Sequence, residues 1–523
     1  MGTYLNPGSD RFQMALNSQI YVDKTEMIME LNRFLNTEQR FVCVSRPRRF
    51  GKKMTANMIC AYYDRTDDSS VFRNCKVFKE NGMKFQGKFN VLRINMQEFL
   101  SRTSSIEEMI DRLEKRITGE IRRVYKDVEY FDPDHLPDVL EDVFDQTGHQ
   151  FVIVIDEWDC IFREYLQDNE AQKVYLDFLR DWLKDKSYVA LAYMTGILPI
   201  KKYGTHSALN MFSEFSMENP GRMAKYVGFT EDETRDLCEK YHMDFSECKN
   251  WYDGYWFPYC SHVYSPKSVV DAMLSGIFDD YWNKTETYEA LKVYIDMNYD
   301  GLRDAIVAMM AGERVKIDTG SFENDMTTFH TSDDILTLLI HLGYLGYDIE
   351  NKEVFIPNHE ILQEFITATT VSKWDEVIRS VQNSERLLQD TWNMNESAVA
   401  DGIQKAHLET SHIQYNDENV LSYTISLAYY AARQYYTLIR ELPSGNGFAD
   451  IVFLPRVKYA DKPAMIVELK WNQSAETAIR QIHEKNYPQT LKDYRGNMLL
   501  VGITYDRKTR KHTCIIEKAD KEI

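Results

Sequence analysis

The sequence predicts an α/β protein, and three observations lead to that class. Over residues 1–215, short apolar segments alternate with helical stretches, which is typical of a parallel sheet with helices on both faces. A capping box of Ser104 and Glu107 predicts that one of these helices runs over 104–126. Residues 220–375 are mostly helical in pattern, and the last part of the chain returns to short apolar strands.

These patterns divide the 523 residues into three predicted domains, which is within the range that such a length allows. We expect a parallel-sheet domain over 1–217, a helical region over 218–375 and a second α/β domain over 376–523. In the middle region, an apolar helical pattern at 332–347 precedes a short strand pattern, which is typical of a winged-helix-like or lid module. The aromatic stretch 251–268 is predicted to be either a loop packed on the core or a base-stacking surface.

A basic loop after the first strand is predicted to bind phosphate. The apolar segment FVCVS (41–45) precedes this loop, and a helix begins directly after it with KMTANMICAYY. Backbone N–H groups and the helix dipole at such a junction face an anion, and Lys52 would reach the β- and γ-phosphates. The segment by itself is equally compatible with a plain basic loop, because Arg46 replaces the first glycine of the usual motif. The predicted nucleotide-contacting residues of the loop are Arg46, Pro47, Arg48, Arg49, Phe50, Gly51, Lys52 and Lys53.

Two later strand patterns favour the nucleotide-binding interpretation. The apolar segment 151–155 ends in Asp156 and Glu157. We expect Asp156 to hold magnesium through water and Glu157 to polarise the attacking water. The segment 188–194 ends in Thr195, at the position of a nucleotide sensor. The order of these segments behind the basic loop makes a phosphate cradle the better interpretation.

Lys53 weakens the expectation of fast ATP hydrolysis. A serine or threonine at this position normally binds Mg²⁺ between the β- and γ-phosphates. Lys53 supplies a positive charge but no oxygen ligand, and Thr55 is expected on another helix face. The sequence therefore predicts ATP binding by a degenerate loop and leaves ATP hydrolysis open.

The C-terminal part carries a D…ExK pattern on two predicted strands. Asp450 lies in the strand pattern 448–454, and Glu468 and Lys470 close the pattern that begins at residue 464. Two carboxylates hold a hard divalent cation through oxygen, and such a cation activates water and stabilises a charged phosphorane. Lys470 would orient the water or support the developing charge. The E-x-K pair alone is also compatible with an ordinary exposed ion pair on a strand.

The sequence around this pattern resembles the PD-(D/E)XK nuclease superfamily, in the form found C-terminal to an AAA-ATPase-like domain in a large family of bacterial proteins. The resemblance lies in the segments ADIVF, IVELK and AIRQIHEKNYPQTL. The matching residues are Asp450, Glu468, Lys470, Gln481 and Tyr487. The resemblance also implies an acidic residue from an upstream helix, for which Glu418 is the candidate. Phe448 stands where relatives usually have arginine, which removes a phosphate contact but no metal ligand.

The N-terminal motifs extend the resemblance over nearly the whole chain. They are, in order, YVDKTEMI (21–28), VSRPRRFGK, VIDEWD, TGI, VGFTEDE (227–233) and WYDGYWF (251–257). The resemblance implies a P-loop NTPase-like parallel sheet, a helical or winged-helix-like middle and a PD-(D/E)XK nuclease-like α/β domain. It implies ATP and Mg²⁺ or Mn²⁺ as cofactors, with Asp156, Asp450 and Glu468 as metal-binding residues.

Composition places the chain among ordinary globular proteins. Hydrophobic residues make up 44% and charged residues 27% of the sequence. No apolar run reaches the roughly 18 residues of a membrane span, so we expect no membrane partner. The eight cysteines are scattered without a C-x-x-C pair, which favours buried thiols in a reducing cytoplasm.

The net charge of −19 is distributed unevenly. From Glu441 to Ile523 the chain has 14 Lys and Arg and 11 Asp and Glu, a net +3, which leaves −22 for the remainder. The densest basic cluster of the C-terminal part is Arg507, Lys508, Arg510 and Lys511. It is predicted to be a hairpin tip that is either only solvated or in contact with a phosphate backbone.

Three functions are compatible with these features. The first is metal-dependent cleavage of nucleic acid, with DNA as the expected substrate, gated by an N-terminal ATP-binding module. The second is a nucleotide-sensing scaffold of a defence or mobile-element system with an inactive ATPase. The third is a plain ATPase whose C-terminal domain only binds nucleic acid. The D…ExK set favours the first over the third, and assembly into a homo-oligomer stays open.

Overall fold

The computed structural model gives a mixed α/β protein. The chain forms two compact units, one of Met1–Thr287 with Lys316–Gln363 and one of Tyr288–Val315 with Glu364–Ile523. No helix within the described part of the chain combines the length and apolar character that a bilayer crossing requires. The described residues are 2–67, 70–80, 82–166, 168–200, 209–258, 260–282, 288–297, 299, 301–323, 329–372, 375–409, 425, 428–444, 447–456, 459–485 and 496–519.

The first unit contains a five-stranded parallel sheet with strand order β2-β3-β4-β1-β5. Strands β1 to β4 have almost completely buried side chains, as expected for apolar strands that are covered on both faces. The predicted strands are therefore present, in a sheet whose loop-bearing strand β1 lies between β4 and β5. The strands are β1 (Phe41–Ser45), β2 (Asn90–Asn95), β3 (Phe151–Asp156), β4 (Val189–Gly196) and β5 (Ser213–Phe215).

Helices flank these strands in the order that the alternating pattern predicts. The helix that follows β1 packs across the sheet on β3 and β2. The helices are α1 (Asp10–Leu16), α2 (Met27–Phe34), α3 (Lys52–Tyr63), α4 (Lys76–Lys79), α5 (Met96–Leu100), α6 (Ile106–Val124), α7 (Leu136–Thr147), α8 (Cys160–Glu164) and α9 (Asn169–Leu183), with a 3₁₀ turn at Ser70–Phe72.

The predicted capping box of α6 is wrong by one residue. Ser105, not Ser104, is the N-cap, and its hydroxyl accepts a hydrogen bond from the Glu108 N–H at 3.2 Å. Both serines precede a glutamate by three positions, so the sequence pattern fits two registers. The apolar face decides between them, because starting the helix at Ile106 buries Ile106 and Met109 completely.

The middle of the chain is helical with short strands, as predicted. Gly343, at φ 89°, ends the apolar helix at Leu342, and a two-stranded antiparallel hairpin of β10 and β11 follows. The strands are β6 (Phe229–Thr230), β7 (Tyr255–Phe257), β8 (Cys260–Tyr264), β9 (Val315–Lys316), β10 (Gly346–Asp348) and β11 (Glu353–Phe355). The helices are α10 (Glu231–Tyr241), α11 (Phe245–Tyr252), α12 (Pro266–Ser275), α13 (Tyr288–Asp296), α14 (Leu302–Met310), α15 (Ser332–Leu342) and α16 (His359–Val371), with 3₁₀ turns at Gly221–Met223 and Thr319–Ser321.

The second unit is built on a five-stranded mixed sheet with strand order β12-β13-β14-β15-β16. Strands β14 and β15 are parallel and the other neighbours are antiparallel. The strands are β12 (Tyr436–Ser444), β13 (Gly447–Pro455), β14 (Ala464–Trp471), β15 (Met498–Asp506) and β16 (Lys511–Lys518). The helices are α17 (Asp375–Trp392), α18 (Glu396–Glu409), α19 (Ala432–Tyr435) and α20 (Ala475–Glu484).

The two faces of this mixed sheet pack on different helices. One face, with Val467 and Leu469, joins a core that includes Leu388 and Ile403 of α17 and α18. Helices α17 and α18 thus supply core residues to this domain. The other face packs Ile466 of β14 against helix α20. Residues 466, 468 and 470 alternate onto this second face, so Glu468 and Lys470 point toward α20.

Candidate functional sites

A cavity of about 610 Å³ opens at the carboxyl end of the parallel sheet. Its cationic side is formed by the loop between β1 and α3, with Arg48, Arg49, Lys52 and Lys53, and its acidic side by Asp156 and Glu157 at the end of β3. A volume in this range holds a ligand the size of a nucleotide. The apolar side chains that complete the lining include Phe12, Ile20, Val22, Tyr226, Phe229 and Val270.

The loop backbone is shaped for close approach of an anion. Gly51 is the N-cap of α3 and has φ 92°, a conformation that a residue with a Cβ rarely adopts. A Cβ at Gly51 would meet nothing within 4 Å, so the glycine is required by the backbone angle rather than by space. Helix α3 therefore begins with its first N–H groups directed out of its N-terminus, where an anion is stabilised.

Lys52 lies inside the loop instead of extending from it. Its ammonium donates to the carbonyl oxygens of Arg46 and Pro47, both at 2.8 Å. Burial lowers the pKa of Lys52 to about 8, and the charges of Glu157, Asp159 and Asp156 oppose that shift. A bound phosphate would supply a directly bonded anionic partner, which this buried ammonium lacks among the described residues.

The Arg46 side chain is hydrogen-bonded to backbone carbonyl groups of the protein. Its guanidinium is completely buried and donates to the carbonyl oxygens of Ser45, Phe215 and Ser216 at 2.8, 3.0 and 3.1 Å. It thereby ties the start of the loop to strand β5. Of the predicted nucleotide-contacting residues, Arg46, Pro47 and Thr195 are not part of the cavity lining, whereas Arg48, Arg49, Phe50, Gly51, Lys52, Lys53 and Asp156 are.

The two acidic residues at the end of β3 have different surroundings. Asp156 is 2% exposed, and burial together with the charge of Glu157 raises its pKa to about 6. Glu157 is paired with Arg163 of α8, whose guanidinium donates to its carboxylate at 2.5 Å. Sequence reasoning missed Arg163. Its spacing of six residues from Glu157 carries no periodic signal, because the turn between β3 and α8 brings the two together.

The two threonines considered in the sequence occupy unexpected positions. The Thr195 hydroxyl is buried and donates to the Val44 carbonyl at 2.9 Å, so it stabilises the pairing of β4 with β1. Thr55 lines the cavity, although it was expected on another face, and its hydroxyl donates to the Gly51 carbonyl at 3.3 Å. Helix α3 begins at Lys52, so Thr55 is the fourth residue of the helix. From that position its side chain lines the cavity.

Two of the N-terminal motifs meet beside this cavity. Lys24, from the YVDKTEMI segment, donates to Glu233, from the VGFTEDE segment, and to the Lys225 carbonyl at 2.7 Å. Glu233 also completes the capping box of α10 with Thr230. In the aromatic WYDGYWF segment, Tyr252 and Tyr255 are almost completely buried, which favours the packed-loop interpretation for those rings.

The D…ExK residues of the second unit come together across β13 and β14. Register places Ile451 opposite Val467, so Asp450 and Glu468 lie on neighbouring strands at the same level. The Asp450 carboxylate accepts the Leu469 N–H at 2.7 Å. Lys470, two positions after Glu468 on the same face, donates to Glu468 at 2.9 Å and to the Leu469 carbonyl at 3.0 Å.

Glu468 is the centre of this group. Its side chain is 1% exposed, and Oε1 accepts hydrogen bonds from Lys470 and from Gln481 of α20. Burial and the charge of Asp450 raise the pKa of Glu468 to about 7, against the opposing effect of Lys470. Helix α20 can pack this closely because Gly502 on β15 has no side chain. A Cβ there would lie 2.8 Å from the Ala475 carbonyl oxygen.

The donor set fits a divalent metal ion. Oε2 of Glu468 is buried and has no hydrogen-bond partner among the described residues. Two carboxylates facing each other in a partly dry site repel, and a hard cation removes that repulsion while binding through oxygen. Asp450 and Glu468 would hold the ion, while the neighbouring Leu469 carbonyl accepts a hydrogen bond from Lys470.

Two residues of the predicted cleavage site, and the departure at Phe448, have no described environment. Glu418 and Tyr487 lie outside the described residues, and the side chain of Phe448 is not described. Their roles stay predictions. Gln481, in contrast, is placed by α20 directly against Glu468.

The metal-free protein is expected to become less stable as pH rises from about 4.5 to about 7 because of Glu468. Its pKa is higher in the folded than in the unfolded state, so the folded protein holds a proton there that the unfolded chain releases. Glu468→Gln keeps the Oε1 acceptor but cannot ionise. In EDTA at about pH 8, the variant should be more stable than the native protein by up to about 3 kcal/mol.

Thermal unfolding across this pH range checks the effect. The matched control is Glu517→Gln, which changes a glutamate that is 47% exposed on β16 of the same sheet. An advantage of Glu468→Gln that does not grow with pH would contradict a buried, proton-holding Glu468.

Comparison with known proteins gives a family match for the sequence around each of the two sites. Residues 8–205 match the family model described as predicted AAA-ATPase, and residues 416–514 match that of the PD-(D/E)XK nuclease superfamily. The chain therefore carries an AAA-ATPase-like domain at its N-terminal end and a PD-(D/E)XK nuclease superfamily domain at its C-terminal end. The resemblance read from the sequence is confirmed at the level of these two domains. No curated protein sequence matches the chain significantly.

Several solved structures are similar to parts of the chain. A Walker-type ATPase of Pyrococcus abyssi shows 14% identity over 66% of this chain and 94% of that chain, with a TM-score of 0.35. The ORC2 protein of Aeropyrum pernix, in ADPNP and ADP complexes, shows 10% identity over 70% of this chain and 98% of that chain, with a TM-score of 0.31. Likeness this low carries no functional argument.

Proposed function

We propose that this protein cleaves phosphodiester bonds of nucleic acid, with DNA as the substrate, at a metal ion held by Asp450 and Glu468. The observation that carries the proposal is the buried Glu468 carboxylate, which among the described residues has one unbonded oxygen and lies beside a second carboxylate and the Lys470 ammonium. The PD-(D/E)XK domain match supports the reaction class. Mg²⁺ or Mn²⁺ suits the oxygen donors.

The protein side chains have separate roles in this proposal. A bound divalent ion would supply charge to the phosphate and lower the pKa of a water ligand. Gln481 and Lys470 fix Oε1 of Glu468, which leaves Oε2 available to a ligand. The Lys470 ammonium lies at the edge of the carboxylate pair, where it can hold a water or a phosphate oxygen by hydrogen bonding.

We further propose that the N-terminal cavity binds ATP and that binding gates cleavage. Support comes from the cationic loop, the buried Lys52 ammonium and the two acidic residues that face one 610 Å³ space. Lys53 gives this space charge without an Mg²⁺ ligand, so ATP should bind with weak dependence on Mg²⁺. The eight free cysteines are compatible with the proposed cytoplasmic setting.

The second candidate function is a nucleotide-sensing scaffold with an inactive ATPase. It is favoured by Lys53 and by the pairing of Glu157 with Arg163, because this pair occupies the carboxylate that would contact the attacking water. In that case the nucleotide would act as a signal and its hydrolysis would not be needed.

Incubation of the native protein with supercoiled plasmid tests the first function. We expect nicked or linear products with Mn²⁺ or Mg²⁺, none with EDTA, and a changed rate when ATP is added. Calorimetry with ATP in the presence and absence of Mg²⁺ tests the cavity separately. Intact plasmid under every metal condition, together with measurable ATP binding, would favour the scaffold.

A further inference from the structure

The turn between β15 and β16 has an excess of positive charge that the cleavage site does not use. Arg507, Lys508, Arg510 and Lys511 are exposed. Among the described residues none of the four has an ion-pair partner within 4 Å. The nearest acidic residue in sequence, Asp506, uses one carboxylate oxygen to accept the N–H groups of Lys508 and Thr509, both at 2.8 Å.

Local hydrogen bonds hold this basic turn in one shape. The two bonds to Asp506 make an Asx-type turn, and the Arg510 N–H returns to the Asp506 carbonyl at 2.7 Å. Arg510 has φ 56°, the left-handed conformation that lets the chain enter β16. A preorganised turn presents its cationic side chains with less loss of entropy on binding than a loose loop would.

The turn is fixed next to the strand that carries the cleavage residues. Strands β14 and β15 run parallel, with Lys470 paired to Thr504 and Trp471 paired to Tyr505. Just beyond them, Asn472 receives the Arg507 N–H on its side chain at 2.9 Å and donates its own N–H to the Tyr505 carbonyl at 2.8 Å. The basic turn therefore continues from the same sheet edge at which Lys470 lies.

The turn lies within reach of a duplex bound at the two carboxylates. Arg507 is five residues beyond Gly502, the register partner of Glu468, and an extended chain of that length spans at most about 17 Å. Along a B-form duplex this is about five base pairs. Since the chain outside Glu441–Ile523 carries −22, this turn is a local cationic surface on a strongly acidic protein.

We propose that the turn from Arg507 to Lys511 binds the phosphate backbone of the substrate within about five base pairs of the cleaved bond. The role of the turn in cleavage rests on the proposed nuclease function. The binding measurement that tests the turn does not require cleavage. The turn contacts phosphates and carries no base specificity, because its flexible cationic side chains lie at a hairpin tip and not on a groove-reading helix.

The experiment compares two pairs of charge removals in the full chain. The test variant is Arg507→Gln with Lys508→Gln, which leaves Asp506 and the αL residue Arg510 unchanged. The matched control is Arg386→Gln with Lys518→Gln, which also removes one exposed arginine and one exposed lysine from the same unit. Binding to a fluorescent DNA duplex is titrated in EDTA at several salt concentrations, so that cleavage is not required.

We expect the test variant to bind about tenfold more weakly, with the slope of log affinity against log salt reduced by about 1 to 2, which is one unit for each lost phosphate contact. The control should bind like the native protein. Equal affinity and slope for test and control, or no binding by the native protein, would overturn the inference.

Cleavage is then measured with Mn²⁺. A native protein that cleaves but shows no effect of the turn refutes only this inference, whereas binding that depends on the turn without cleavage refutes only the nuclease function.

Discussion

Asp450→Asn is expected to leave the protein folded and to slow nucleic-acid cleavage by at least about 10³-fold. The asparagine Oδ1 can still accept the Leu469 N–H, so the contact between β13 and β14 is kept. The substitution removes the negative charge that repels the Glu468 carboxylate and that, together with it, would bind a cation. Plasmid cleavage in Mn²⁺ and circular dichroism of the same preparation measure the two parts of this expectation.

The matched control for this prediction is Asp461→Asn. Asp461 is 71% exposed in the turn before β14, so the same chemical change there should leave cleavage unaltered. Lys470→Ala should also abolish cleavage, because it removes the ammonium that contacts Glu468 and the Leu469 carbonyl. A folded Asp450→Asn protein that cleaves at the native rate would show that the metal, if any, is held elsewhere.

Lys53→Thr is expected to raise ATP hydrolysis by about 10²-fold over whatever rate the native protein has. The acidic side of the cavity is already supplied by Asp156 and Glu157. The missing part is a hydroxyl oxygen that holds Mg²⁺ against the β- and γ-phosphates. Removal of one positive charge should at the same time weaken ATP binding in the absence of Mg²⁺, so the two effects have opposite signs.

Lys53→Ala separates the two effects, because it removes the charge without adding an oxygen. Phosphate release and calorimetry with and without Mg²⁺ are measured for both variants. If Lys53→Thr binds ATP with Mg²⁺ but hydrolyses none above the native rate, Lys53 is not the cause of low turnover. The Glu157–Arg163 pair would then be the next group to change, since it holds the proposed water-polarising carboxylate.

Sequence reasoning succeeded where chemistry is encoded in neighbouring residues. Strand β14 and its E-x-K residues were predictable, because apolar β-forming residues and the two-residue side-chain period are local properties. The same holds for the strand–loop–helix junction at Gly51. The capping register of α6 failed, because two overlapping patterns fit and only burial of Ile106 chose between them.

The sequence by itself determined the order of the two domains, the strands that carry Asp450 and Glu468, and the charge at Lys53 in place of a hydroxyl. Only the tertiary structure decided which side chains meet. It brought Arg46 into hydrogen bonding with strand β5, Arg163 with Glu157, and the basic turn with Asn472. Each contact joins residues that have no periodic relation in the sequence. It also decided that Glu468 is buried, with one oxygen unbonded among the described residues, because burial arises from the packing of helix α20 against the sheet and not from the identity of the residue.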